Sequence, residues 1–129
     1  MDEMIAFYVR QLHHNDYEDA YHYLIEIDES LIPDLMDAYT MTRDEKVRSI
    51  IIDIIGEHRR ASDINFVAAT LKSESEQIGK SSLDALVKMG AKRCIDVLIS
   101  EKAKAKTTDQ ECLDWYDEAI QQLEQRRSE

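Results

Sequence analysis

The stretch VRSIIIDIIGEH, residues 47–58, decides the fold of this chain. At 100° per residue its apolar side chains fall on one stripe, which is typical of an amphipathic α-helix; they are Val47, Ile50, Ile51, Ile54 and Ile55. Asp53 falls far from that stripe, beside Lys46 and Ser49. The pattern therefore predicts a helix packed against other helices, with Asp53 outside the core.

A repeat runs outward from this helix, with a period of about 31 residues that lies in the range of helical repeat proteins. IDII at 52–55 is followed by LDAL at 83–86 and LDWY at 113–116, at nearly equal spacings. Capping boxes that start at Thr42 and Ser73 repeat the same spacing. A third box at Thr108 lies too close to Asp114, so we expect a remodelled last unit.

Each unit reads as two helices that are too short to bury their apolar faces alone, which is the signature of a solenoid. Three glycines and one proline also favour helices over strands. The sequence predicts a single all-α domain over 1–129, an α-solenoid of three to four helical pairs. Its parts are two N-terminal helices (1–29), repeats over 30–61 and 62–92, and a divergent C-terminal repeat (93–129).

The second helices resemble those of HEAT-like repeats of the armadillo type, in the short variety found in phycobilisome-lyase-like proteins. Val47-Arg48 leading into SIIIDIIGEH carries the resemblance, together with Ile78 leading into SSLDALVKMG. It covers roughly residues 17–123. It implies a HEAT-like fold whose second helices line a concave surface. That fold hosts both binding proteins and enzymes.

The acids Asp53, Asp84 and Asp114 occupy equivalent positions in successive second helices, and His22 occupies the same position one repeat earlier. If these helices stack, the acids form a ladder, which the resemblance places in the groove. Two interpretations stay open at this point. The ladder is either a solvated outer face or an acidic strip that meets a basic partner.

Charge divides the chain into three parts. Residues 1–45 hold 12 acids against Arg10 and Arg43, residues 46–106 hold 8 acids and 12 bases, and residues 107–129 hold 7 acids and 2 bases. Acidic ends repel phosphate backbones and attract cationic surfaces. We therefore expect a protein partner and no nucleic acid.

Catalytic and metal signatures are weak. The sequence has no Gly-rich phosphate loop and no recognisable nucleophile turn. Glu18, His22 and Glu26 share one helical face, but such spacing is also common in ordinary charge pairing. The repeated His-Glu pairs of iron-binding HEAT-like hydroxylases are not present. We expect no enzyme activity, metal or cofactor, although chromophore lyases are an enzymatic use of these repeats.

The chain opens with acids rather than with a basic segment and an apolar run, so we expect no signal peptide and a cytoplasmic location. No apolar run is long enough to span a membrane. Cys94 and Cys112 lack a partner at metal-ligand spacing. Two buried thiols are favoured over a disulfide.

Tyrosines interleaved with acids suit a protein interface, because the ring supplies contact area and the carboxylates steer association. Tyr17 and Tyr21 fall on the core stripe with Leu24, whereas Tyr23 points outward. The candidate partner-binding residues are Asp16, Asp19, Tyr23, Glu26, Asp28, Glu29, Asp34, Asp37, Asp53, Asp84, Asp114 and Asp117.

In size, charge and architecture the chain is similar to the immunity proteins of bacterial toxin–immunity pairs. That similarity implies a protein that neutralises a small basic nuclease toxin by covering its phosphate-binding site with carboxylates. An adaptor or scaffold with several partners is the alternative. Immunity requires one partner held tightly, whereas an adaptor binds several weakly.

Overall fold

The structure is a computed structural model that describes residues 1–73, 75–105 and 109–128. Within these ranges the chain forms helices and no strand, which confirms the predicted all-α class. The α-helices are α1 (Glu3–Gln11), α2 (Glu18–Ile25), α3 (Ile32–Met41), α4 (Glu45–His58), α5 (Ile64–Thr70), α6 (Glu76–Met89), α7 (Lys92–Lys104) and α8 (Gln110–Ser128). Short 3₁₀ turns, Glu29–Leu31 and Ala61–Asp63, precede α3 and α5.

Neighbouring helices in the chain pack against each other, in the pairs α1–α2, α3–α4, α5–α6 and α7–α8. The even-numbered helices also contact one another in order, from α2 through α4 and α6 to α8. Helix α1 contacts α3 as well. The core lies between these helices, and its apolar side chains come from α1 to α8.

Helix α4 is the centre of this packing, because it contacts α2, α3 and α6. All five residues of its predicted apolar stripe are buried, and Ile52, which lies off that stripe, is fully buried too. The sequence places the end of this helix near Gly56, but α4 continues to His58. Arg59 terminates it in the left-handed conformation with φ 54°. Gly90 ends α6 as predicted, with φ 69°.

The N-cap residues of α4 and α6 lie two positions after the predicted N-caps, Thr42 and Ser73. Asp44 caps α4 by accepting a hydrogen bond from the Val47 N–H, and Ser75 caps α6 by accepting one from the Ile78 N–H. The predicted caps Thr42 and Ser73 instead accept from the N–H groups of these two capping residues. Both caps shift equally, so the repeat spacing is retained. Thr108 lies outside the described residues.

Cys94 is buried, Cys112 is half-buried, and both are free thiols. Burial raises the pKa of each thiol, most directly through desolvation of the thiolate. Across the described ranges, none of the helices combines the length and the apolar character that crossing a membrane requires.

Candidate functional site

The first candidate site is an open cleft between α2 and α4, which we call the central cleft. It has a volume of about 470 Å³ and is lined by Tyr17, Glu18, Tyr21, His22, Ile50 and Asp53. Helix α2 turns Ala20 and Leu24 into the core, and this orientation leaves the neighbouring tyrosines half-buried at the cleft. Lys46 bounds one edge, with its Nζ 5.0 Å from the centroid of the Tyr17 ring.

Asp53 lies on the α4 side of the central cleft and is half-buried. Desolvation raises the pKa of its carboxyl to about 6, while the cation of Lys88 opposes this rise and the charges of Asp84 and Glu57 add to it. The Lys88 Nζ lies 2.9 Å from Glu57 Oε1 and joins α6 to α4. The central cleft therefore holds a carboxyl whose pKa, at about 6, is well above that of an ordinary Asp.

The structure brings together only some members of the predicted acid ladder. Asp84 is exposed and its charge reaches Asp53, so these two positions lie on neighbouring helices close to each other. His22 lines the central cleft beside Asp53. Asp114 is exposed on α8 and accepts a hydrogen bond of 2.8 Å from Gln110 Nε2. Asp53 lies outside the core but is half-buried and not fully exposed, because α2 and α6 flank α4 and shield part of its carboxyl.

The second candidate site is an aromatic surface formed by α1 and α2. The rings of Tyr8 and Tyr23 stack at a centroid distance of 3.9 Å, and Phe7 packs edge-on against Tyr8 at 5.1 Å. We call Met4, Phe7, Tyr8 and Tyr23 the aromatic end face. Of these four residues, the sequence predicts only Tyr23 as a partner contact. The missed signal was a second stripe on α1, since Met4 stands three and four residues before Phe7 and Tyr8.

The candidate acids of residues 16–37 fall into two groups. Four exposed candidates have, among the described residues, neither a Lys, Arg or His nitrogen within 4.0 Å of the carboxylate nor a hydrogen bond from a backbone N–H; they are Asp16, Asp19, Glu26 and Asp37. We call these four residues the free acids.

The other three candidate acids of this segment have structural roles. Asp28 accepts a hydrogen bond from the Ser30 N–H, which holds its carboxyl pKa below the usual range. Asp34 accepts from the Asp2 N–H at 2.9 Å. Glu29 faces Arg60, whose Nε lies 4.0 Å from its carboxylate.

The candidate residues therefore lie in separate places. Asp53 and Asp84 belong to the face of α2, α4 and α6, Tyr23 belongs to the aromatic end face, and Asp114 and Asp117 lie on α8. Asp117 is paired with Lys102 of α7. The structure does not bring all twelve residues onto one surface.

Within the described parts of the chain, no group of three or more His, Cys, Asp or Glu side chains is placed to hold a metal ion. Glu18 and His22 do share the lining of the central cleft, but Glu26 is not among its lining residues. No protein-family model matches the chain, and no curated protein matches it. The function proposed below therefore depends on the charge and exposure of its surface residues.

Proposed function

We propose that this protein is a protein-binding module, and specifically an immunity protein that binds and neutralises a cationic nuclease-type toxin. The observation that carries the proposal is the group of free acids, which have no cation of their own within ion-pair distance among the described residues. Opposite charge on a partner would complete these pairs and would also speed the encounter.

The proposal includes the arrangement of the helices, which we infer to be a HEAT-like solenoid. The pairwise packing of consecutive helices and the successive contacts of α2, α4, α6 and α8 support it. The caps Asp44 and Ser75, which keep the repeat spacing found in the sequence, support it further. Such arrays present extended surfaces on which one partner can contact several helices at once.

Exposed apolar side chains favour a protein partner over a small cation. Most of the large exposed apolar residues stand in α1 to α3 or just before α1; they are Met1, Met4, Phe7, Tyr23 and Met41, with Ile99 as the exception elsewhere among the described residues. Aromatic and Met side chains are enriched at interface centres, and carboxylates at the rim steer association. The N-terminal helices combine both features.

Two charge-matched baits test this proposal. In the first, Asp16, Asp19, Glu26 and Asp37 are replaced by Lys; in the second, Asp96, Glu111, Asp114 and Glu118 are replaced by Lys. Both sets are exposed, and the two variants have equal net charge. Wild type and both variants are used to capture proteins from a lysate of the source organism, washed at low and at moderate salt.

One basic protein retained near stoichiometrically by wild type and by the second bait, but not by the first, supports the proposal. Inhibition of that protein's nuclease activity by wild type would establish neutralisation. Several partners that are all lost as salt rises would indicate the adaptor alternative instead. Loss of capture with the second bait alone would move the interface to α7 and α8.

A further inference from the structure

The aromatic end face lies on the outer side of the first helical pair. Tyr17, just before α2, and Tyr21 of α2 line the cleft with α4, whereas Tyr23 stacks on Tyr8 of α1. Successive residues of a helix are 100° apart, so Tyr21 and Tyr23 point to different sides. The aromatic end face therefore occupies the end of the helical packing that α4, α6 and α8 continue on the other side.

This end carries apolar side chains where a helical array needs a polar cap. Met4 is 49% exposed, Phe7 is 44% exposed and Tyr23 is 37% exposed. End units of stacked helical arrays are ordinarily polar on their outer side, because no further unit covers them. An end face of this kind is instead suited to receive one more helix.

Charge decides what kind of helix this face accepts. Glu3 lies on α1, and Asp19 and Glu26 lie on α2 or at its C-terminal end, on the same side as Tyr23; all three are exposed. The N-terminal or C-terminal part of a second copy is a poor occupant, because residues 1–45 and residues 107–129 are both strongly acidic. Like charges brought together across an interface oppose association.

We propose that the aromatic end face is the docking site for a cationic amphipathic helix of the protein partner. The partner's apolar side chains would pack on Met4, Phe7 and the stacked tyrosines, as helix-in-groove recognition uses anchors at helical spacing. Its Lys or Arg side chains would reach Glu3, Asp19 and Glu26. This inference rests on the proposed function and specifies where the partner is anchored.

The test uses the full chain and three labelled synthetic peptides of about 18 residues, roughly five helical turns. The first places Leu on one helical face and Lys on the other, the second replaces each Lys by Glu, and the third scrambles the first so that no apolar face forms. Binding is followed by fluorescence anisotropy at roughly 0.15 M salt, where surface charges are partly screened. We expect the first peptide to bind and the other two to bind at least about tenfold more weakly.

Variants locate the site. Phe7→Ser and, independently, Met4→Ser should each weaken binding of the Leu/Lys peptide by about tenfold, as loss of an interface anchor does. Ile99→Ser is the matched control, because Ile99 is 51% exposed on α7, outside the aromatic end face. It should bind like wild type. Helical circular dichroism and the melting temperature check that each variant is folded.

A third variant, Asp19→Lys with Glu26→Lys, separates failure of this inference from failure of the proposed function. If charge reversal abolishes binding while Phe7→Ser and Met4→Ser leave it unchanged, the end-face inference is overturned and an acidic binding surface survives. Equal binding of the scrambled and ordered Lys peptides overturns the inference in the same way. If all variants bind the Leu/Lys peptide like wild type, neither the end face nor these two free acids form the interface.

Discussion

Gly56 of α4 lies so close to Ala85 of α6 that a Cβ added to Gly56 would come 2.8 Å from Ala85 Cβ and 2.9 Å from Ala85 Cα. Real Cβ atoms do not approach other atoms so closely, and one of the two contacts is backbone. Glycine at this position therefore permits close approach of α4 and α6, the two helices that pack most extensively. The role of Gly56 is close helix packing, not helix termination.

Gly56→Ala should destabilise the protein by about 1–3 kcal/mol, because α4 and α6 must separate to admit the methyl group. Gly79→Ala is the matched control, since it lies in α6 and a Cβ there meets nothing within 4 Å. It should stabilise the protein by about 0.5–1 kcal/mol through helix propensity. Urea unfolding measures both changes, and a stabilising Gly56→Ala would show that the helices yield.

The raised pKa of Asp53 makes its contribution to stability depend on pH. The folded state holds this proton up to about pH 6, whereas the pKa of an unperturbed Asp is 3.8. Because the folded pKa is the higher one, the proton favours folding, and this advantage is lost as the pH rises from about 4 to 6. Above pH 6, ionised Asp53 therefore lowers the free energy of unfolding by about 2 kcal/mol, a value reduced to allow for its partial exposure.

Asp53→Asn should therefore stabilise the protein at pH 8 relative to wild type and leave its stability nearly unchanged at pH 4. The free energy of unfolding of both proteins, measured across this pH range, gives the difference curve. Asp84→Asn should lower the pKa of Asp53, because a neighbouring negative charge is removed. A difference curve for Asp53→Asn that is flat with pH would contradict the shielding of this carboxyl.

Thr70 and Ser82 form a buried hydroxyl pair between α5 and α6, with their Oγ atoms 2.6 Å apart. Each hydroxyl also reaches a carbonyl of its own helix, at Val67 and Ile78. Ser82→Ala should lower the free energy of unfolding by about 0.5–1.5 kcal/mol, because the hydrogen bond between the two hydroxyls is lost while Thr70 still donates to the Val67 carbonyl. Thermal or urea unfolding measures this loss.

The double variant Thr70→Val with Ser82→Ala should cost less than the sum of the two single changes by about 1 kcal/mol, because each single change already removes the hydrogen bond that the two hydroxyls share. Additive losses would indicate that the two hydroxyls do not depend on each other. The cycle thus tests the pairing itself and not only the burial of each side chain.

Reversing the free acids should change the kinetics of partner binding more than the stability of the fold. With Asp16, Asp19, Glu26 and Asp37 replaced by Lys, association with a basic partner should slow by about tenfold or more, and its rate should depend less on salt. Stopped-flow mixing over a range of ionic strength measures both effects. An unchanged association rate would remove these residues from the interface.

Much of the fold follows from local patterns. The apolar stripe of residues 47–55 and the repeat that echoes it were enough to predict an all-helical chain, and residues 44 and 75 keep the repeat spacing as caps. Prediction of the caps themselves was off by two residues. Several hydroxyls and carboxylates compete for the same N–H groups at a helix start, and the sequence does not rank them.

The candidate sites were harder to predict. The exposed acids could be named from helical periodicity, since a helix that buries one face exposes the other. The aromatic end face was missed apart from Tyr23, because Met4, Phe7 and Tyr8 look like ordinary core residues until the neighbouring helices are placed. A helix with two apolar stripes does not reveal which one will be covered.

By itself the sequence determined the all-helical class and the uneven distribution of charge, because both depend on residues close together along the chain. Only the tertiary structure decided that Asp53 is shielded, that Gly56 is a packing contact and that Tyr8 and Tyr23 stack at an uncovered end. These three properties depend on which helices approach one another and how closely. Residues far apart along the chain create them, and local periodicity carries no information on that approach.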